Sequence, residues 1–236
     1  MDATDYILLA IFVALNTTCF ILSKISPNSG LETLGNWLVM LTHLLIIPNI
    51  VLVRNTRWYL SILVYSTVTS VLYHMAKIGY YDLLSNFDQW DIAAQNVLIM
   101  STFFMLTLSD IPEWAFLVTA GSGVFMGAMG EVDLGPFKVF EFFSGLVFFM
   151  LFLYLIIRTI RPIPIRDTMY IGIACACAIV ASISFVVATE MDERIYGLVH
   201  SIWHCSAYIM LYFALKSIKN PYQQLFTQRR KRDVSL

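Results

Sequence analysis

Eight stretches of the 236-residue chain are almost wholly apolar, with polar residues gathered in the gaps between them: Tyr6–Ser23, Trp37–Val53, Trp58–Ala76, Asp91–Leu108, Ile111–Gly130, Phe137–Ile157, Thr168–Ala188 and Ile195–Leu215. Each is close to the about 20 residues a helix needs to cross the hydrocarbon of a bilayer. None alternates polar and apolar positions as barrel strands must. A helix satisfies its own backbone groups, which hydrocarbon demands. The pattern predicts an all-α fold, a polytopic transmembrane helical bundle, and no repeat or low-complexity segment interrupts it.

Composition sharpens this picture. The chain is 58% hydrophobic and 13% charged, with a mean hydropathy of +0.73. Soluble domains carry about 25% charged and 45–50% apolar residues, so a water-soluble globule is excluded. The short gaps leave no room for a separate soluble domain. A net charge of −1 argues against nucleic acid as a partner. Cys19, Cys175, Cys177 and Cys205 all lie in apolar runs without a CxxC pair, which points to buried thiols rather than disulfides or a cysteine-based zinc site.

Positive charges in the gaps set the expected orientation. Arg54 and Arg57 follow the second run, Arg158, Arg161 and Arg166 the sixth, and Lys216, Lys219 and Arg229 to Arg232 the eighth. The intervening gaps lean acidic, with Asp82 and Asp88, Glu131 and Asp133, and Glu190, Asp192 and Glu193. The two sets fall on alternate sides, which places the tail in the cytoplasm and the start of the second run outside. The loop with Asp110 and Glu113 has no such support. The first run is flanked by acidic Met1 to Asp5 rather than the positive region of a signal peptide, which favours a retained helix over a cleaved signal. Its sequon, Asn16-Thr17-Thr18, lies inside the apolar run and is discounted. The expected organisation is an extra N-terminal helix or signal segment with its loop over 1–36, a core over 37–217 and a basic cytoplasmic tail over 218–236. Arg229 to Arg232 read as a positive-inside anchor, ahead of a site for anionic lipid.

Ionisable residues inside spanning helices are costly and default to functional candidates. His200 and His204 are four apart on the eighth run and share one helix face. Ser70 and His74 stand in the same relation on the third run, and Asp91 opens the fourth. With the orientation above, His74, Asp91, His200 and His204 all fall in one layer, in the exoplasmic half. Three histidines form a catalytic zinc site with one position open, where bound water has a pKa of about 7. His74, His200 and His204 are thus the expected Zn2+ ligands. Asp91 would orient or deprotonate the water, and Ser70 would bond the metal's surroundings or a substrate carbonyl. His43, with no ionisable group at its depth on the other runs, reads as a lone packing histidine. Glu141 reads as a carboxylate reaching interfacial water. Asp88, the competitor for the role of Asp91, falls in the preceding loop.

Ser70 and His74, Asp91, and His200 with His204 resemble the motif of the CREST superfamily of seven-helix membrane proteins, which includes alkaline ceramidases, adiponectin receptors, GPI-remodelling proteins and the myomaker group. The resemblance runs over roughly Trp37 to Lys219. Setting the first run aside gives a seven-helix core in which these residues fall on core helices two, three and seven. The step from His74 to Asp91 is similar to that of adiponectin receptors, and the orientation is similar to that of ceramidases and myomaker. Val199 to His204, Ile47-Pro48-Asn49 and Arg54 to Ala76 resemble the branch of myomaker and a GPI-directed phospholipase. Ser70, which vertebrate myomaker lacks, leans toward the hydrolytic relatives, and the tail lacks myomaker's cysteines.

The resemblance implies a multi-pass, zinc-dependent hydrolase of the plasma membrane or ER/Golgi. It would cut an amide or ester bond of a membrane lipid: ceramide-like, phospholipid or GPI anchor. Asp91 and Ser70 would be its catalytic residues. The alternative is a myomaker-like membrane-remodelling or cell-fusion protein whose zinc is structural, with Asp91 as fourth ligand. A receptor with a vestigial zinc site is disfavoured by the short loops. The expected partners are the lipid bilayer and a lipid substrate. A homodimer is compatible with the sequence, which does not fix the oligomeric state.

Overall fold

The computed structural model describes residues 1–24, 29–54, 56–79, 91, 94–95, 97–99, 101–102, 168–189, 191 and 193–217. Six α-helices run through them: α1 (Ala3–Lys24), α2 (Ser29–Thr42), α3 (Ile46–Val53), α4 (Arg57–Gly79), α5 (Thr168–Thr189) and α6 (Glu193–Ser217), with one 3-10 turn, His43–Leu45, joining α2 to α3. There is no strand among the described residues. Among the described residues, four stretches are long and apolar enough to cross a membrane: Ala3–Leu22, Glu32–Val53, Thr168–Ala188 and Ile195–Ser217. The protein is an all-helical membrane protein.

Helices α1, α5 and α6 coincide with the first, seventh and eighth apolar runs to within a few residues. The second helix differs, because it begins at Ser29 rather than Trp37. Polar Glu32, Thr33 and Asn36 end the apolar run, yet none of them breaks a helix, so the backbone stays helical through them. Helix α4 has the length to span but carries Ser66, Thr67, Thr69, Ser70 and His74 through its second half. The fourth run is helical at each of its described positions. The fifth and sixth runs, Glu141 and the tail lie outside the described residues.

The chain forms two compact units, one of Met1–Leu52, Val71–Leu84 and Asp167–Ser217, the other of Val53–Ser70, Ser85–Arg166 and Ile218–Leu236. In the first, α6 is the central helix. Of its apolar stretch 78% is buried, against 17% for α1. Helices α2 and α6 cross at Gly35 and Gly197. A Cβ built on Gly35 would lie 2.8 Å from the Leu198 nitrogen, and one on Gly197 would lie 2.7 Å from the Gly35 carbonyl carbon. Only glycine admits such an approach, the usual means of close helix association in membranes. One turn along, the Ser201 hydroxyl donates to the Gly197 carbonyl at 2.7 Å and lies 3.4 Å from the Gly35 carbonyl.

Helix α1 joins the unit through charge. Asp2 caps it, accepting from the Asp5 amide at 3.2 Å while the Asp5 carboxylate accepts from the Asp2 amide at 2.7 Å, a reciprocal capping box. The same carboxylates hold Lys216 at the end of α6: its Nζ donates to Asp2 at 2.6 Å and to Asp5. Tyr170 of α5 and Tyr212 of α6 donate to Asp5 at 3.0 and 3.1 Å. The fully buried Asp5 side chain thus has a cation and two hydroxyls as partners. The Lys216 hydrogen bond holds the exposed Asp2 carboxyl below the usual carboxylate range. In the second unit, the Tyr59 and Thr102 hydroxyls meet at 2.7 Å, and Gln95 Nε2 donates to the Ser66 carbonyl at 3.3 Å.

Candidate metal centre

The span that starts with α2 changes winding at His43. Pro48 has no N–H to give the carbonyl of Leu44, and its ring crowds that carbonyl. The helix tightens to a 3-10 turn over His43–Leu45 just ahead of it, and mid-helix 3-10 turns mark strain or a hinge. The Val39 carbonyl accepts from the Thr42 hydroxyl at 2.6 Å and from His43 Nδ1 at 2.9 Å. Beyond Pro48, the buried Asn49 amide donates to the Leu45 carbonyl at 3.1 Å and to the Tyr208 carbonyl of α6 at 3.2 Å. The segment bearing His43 is therefore tied to α6 on both sides of the turn, by the glycine crossing before it and by Asn49 after it.

Four imidazoles converge in the first unit, and all are buried. His74 Nε2 and His204 Nε2 stand 3.0 Å apart. The His200 ring centroid is 5.0 Å from that of His74 and 4.8 Å from that of His204. His43 lies on the other side of the pair, 4.7 Å from the His204 ring and 5.8 Å from the His74 ring. Aromatic rings enclose the group: Tyr196 and Trp203 stack on His200 at 4.8 and 5.0 Å, and Tyr208 approaches His43 at 5.8 Å.

One nitrogen each from His43, His74 and His204 lie within 4.8 Å of one another. Tetrahedral zinc, with Zn–N bonds of about 2.0–2.1 Å, sets ligand nitrogens about 3.3 Å apart. The His74–His204 pair, at 3.0 Å, is already near that spacing. At 3.0 Å one of these nitrogens donates its N–H to the other, and both lone pairs become available to a shared metal when that proton leaves. The carbonyl of Val39 can only accept, so Nδ1 of His43 carries its proton and Nε2 presents a lone pair. That Nε2 is buried with no hydrogen-bond partner among the described residues. A backbone carbonyl fixing one ring nitrogen is the usual arrangement around metal-ligating histidine. The donor set fits a divalent metal, and all-imidazole sites suit zinc, copper, iron or nickel.

The stretch 33–205 matches the model of a family of proteins of unknown function, DUF3522. The chain belongs to the DUF3522 family. No curated protein and no solved structure matches the chain. The DUF3522 region takes in all four histidines of the sequence and ends one residue past His204. Helix α1 and the tail lie outside it.

The sequence-expected residues divide between the units. His74, His200 and His204 belong to the first, with His43. Ser70 and Asp91 belong to the second. Ser70 is fully buried on α4, one turn before His74, and its hydroxyl has no partner among the described residues. Asp91 is buried and accepts from Gln95 Nε2 at 3.1 Å. His43 differs from expectation, because it packs against two other histidines rather than standing alone. Depth along the runs did not reveal this. Gly35, Gly197 and Pro48, the residues that bring His43 to α6, were the available signal. All four cysteines are free thiols, three of them buried and Cys175 exposed. Asn16 of the discounted sequon donates to the Phe12 carbonyl at 2.6 Å within α1.

Proposed function

We propose that the protein is a zinc-dependent hydrolase of the membrane, acting on an amide or ester bond of a lipid, with a seven-helix core and α1 as an additional helix. Its tail is cytoplasmic and its site lies in the exoplasmic half. His74, His200 and His204 would hold the metal. The observation that carries the reading is the packing of these three buried imidazoles on two long helices, with two nitrogens 3.0 Å apart. Histidines are expensive within a spanning helix, and a converging set is best explained by a shared ligand. Bound zinc would supply Lewis acidity, which brings the ionisation of water close to neutral pH. On the resemblance to the CREST motif, Asp91 would take the proton from the attacking water and Ser70 would hydrogen-bond the carbonyl of the bond being cut. The lipid class rests on the resemblance of these residues to the CREST motif.

The test is Asp91→Asn in detergent-purified protein, assayed on fluorescent ceramide, phospholipid and a GPI-anchored reporter with zinc measured in parallel. Zinc should stay at wild-type content while turnover vanishes. Unchanged turnover overturns the role of Asp91. Zinc retained with no turnover by wild type on any of these lipids supports the structural-zinc alternative. That alternative predicts multinucleation when the chain is expressed in fusion-incompetent cells.

A further inference from the structure

We propose that His43 is a fourth metal-coordinating imidazole, which closes the centre by taking the position that a water molecule or a substrate oxygen would need. This rests on the metal reading above and deepens it, because it concerns whether the site is open.

Three observations carry the proposal. The first is the tautomer. With Nδ1 donating to the Val39 carbonyl at 2.9 Å, His43 is a neutral imidazole whose only remaining ring nitrogen is a lone-pair donor. The second is the state of that nitrogen. His43 Nε2 is buried without a hydrogen-bond partner among the described residues, and a buried polar atom left so is costly unless something else engages it. The third is its neighbours. One His43 nitrogen lies within 4.8 Å of nitrogens of His74 and His204, and the His43 ring packs 4.7 Å from that of His204, so the imidazole stands next to the pair.

The backbone under His43 gives this ligand a distinct character. His74, His200 and His204 stand on unbroken α-helix, whereas His43 opens the 3-10 turn between α2 and α3. The His74 and His204 nitrogens form a compact set of three with His43, and the His200 ring packs on the other side of the pair, its centroid 5.0 and 4.8 Å from theirs. With both His43 and His200 engaged, four imidazoles fill a tetrahedral metal, the arrangement of closed structural sites. With His43 withdrawn, one position opens, as catalytic sites require.

The experiment uses the full chain in detergent micelles loaded with Co2+ or Zn2+. The visible d–d spectrum of the cobalt form and X-ray absorption of the zinc form count imidazole ligands, and equilibrium dialysis gives the affinity. Wild type should show four imidazole nitrogens. His43→Ala should show one nitrogen fewer and a light-atom oxygen in its place. Its affinity should be about tenfold weaker or more, since even loss of a residue that only orients a ligand costs about 10–100-fold. Free imidazole added to His43→Ala should restore the wild-type spectrum. His43→Phe, which keeps an aromatic ring in the packing, controls for folding and should behave as His43→Ala does, without rescue by imidazole. Metal bound by wild type with the same nitrogen count and affinity in both variants overturns the role of His43 while leaving the metal centre intact. No metal bound by wild type overturns the metal reading itself.

Discussion

Helix α6 carries two buried polar clusters, and they are built on opposite principles. At its end, Lys216 meets Asp2, Asp5, Tyr170 and Tyr212, so that each charge has an opposite charge or a hydroxyl beside it. About two to three turns from its start, His200 and His204 meet His74 and His43. There, His74 Nε2 and His204 Nε2 share a hydrogen bond at 3.0 Å, while His43 Nε2 has no hydrogen-bond partner among the described residues. The first cluster is complete as it stands and accounts for the docking of a peripheral helix. The second makes physical sense with a cation at its centre. Buried polar groups without partners are costly in both places, and what separates a fastening from a site is whether the protein alone satisfies them.

The comparison can be broken most severely at the glycine crossing. Gly197→Leu would drive its side chain into the backbone of α2, at positions where even a Cβ falls within 2.7–2.8 Å of Gly35 and Asn36. No monodisperse folded protein should be recovered on size-exclusion chromatography. Where Gly197→Ala yields a folded fraction, that fraction should lose zinc while keeping α1 docked by protease protection.

The fastening comes next. Lys216→Met leaves the Asp5 carboxylate buried without its cation, and such a loss costs about 3–5 kcal/mol. Thermal unfolding in detergent should fall accordingly, and Lys216→Met with Asp5→Asn should recover much of it. Neither variant should alter zinc content, since no histidine is touched. A third, smaller effect belongs to the histidines. Zinc at about 100 times its Kd should stabilise wild type by about 2.7 kcal/mol, and His204→Ala should abolish the shift, because His204 packs against each of the other three histidines.

The smallest effect is at the exposed Asp2. Its carboxyl titrates below the usual range in the folded chain, so its contribution is complete above the ordinary carboxylate pKa of about 3.9. It is lost as pH falls through the lowered value. With solvent screening, Asp2→Asn should cost under about 1 kcal/mol at pH 7. The deficit should vanish in acid, as read from unfolding midpoints across a pH series.

Much of this molecule is legible in its sequence where one helix suffices to determine the outcome. The apolar runs at α1, α5 and α6 locate those helices because length and hydropathy are local properties. His200 and His204 share a face because helical periodicity alone puts them there. What is not legible depends on how helices meet. Helix α2 extends back to Ser29 through Glu32, Thr33 and Asn36, residues that look like a loop by polarity. Gly35 in that extension is what lets α2 touch α6. His43 reads as solitary when residues are compared by depth, because the glycine crossing and the Pro48-linked turn that bring it to His204 are tertiary facts. The Asp2–Asp5–Lys216 cluster was likewise hidden, its members being separated by nearly the whole chain. Each had a plain local reading, as an acidic flank and as a positive-inside lysine.

The continuity of α6 makes it a ruler. Twelve residues separate Lys216 from His204 and sixteen separate it from His200, which at 1.5 Å per residue is about 18 and 24 Å. The hydrocarbon layer is about 30 Å thick. Where Lys216 stands at the edge of that layer, a position about 18–24 Å along the helix lies past its midpoint. The length of one unbroken helix therefore sets how far the histidines stand from the Lys216 end.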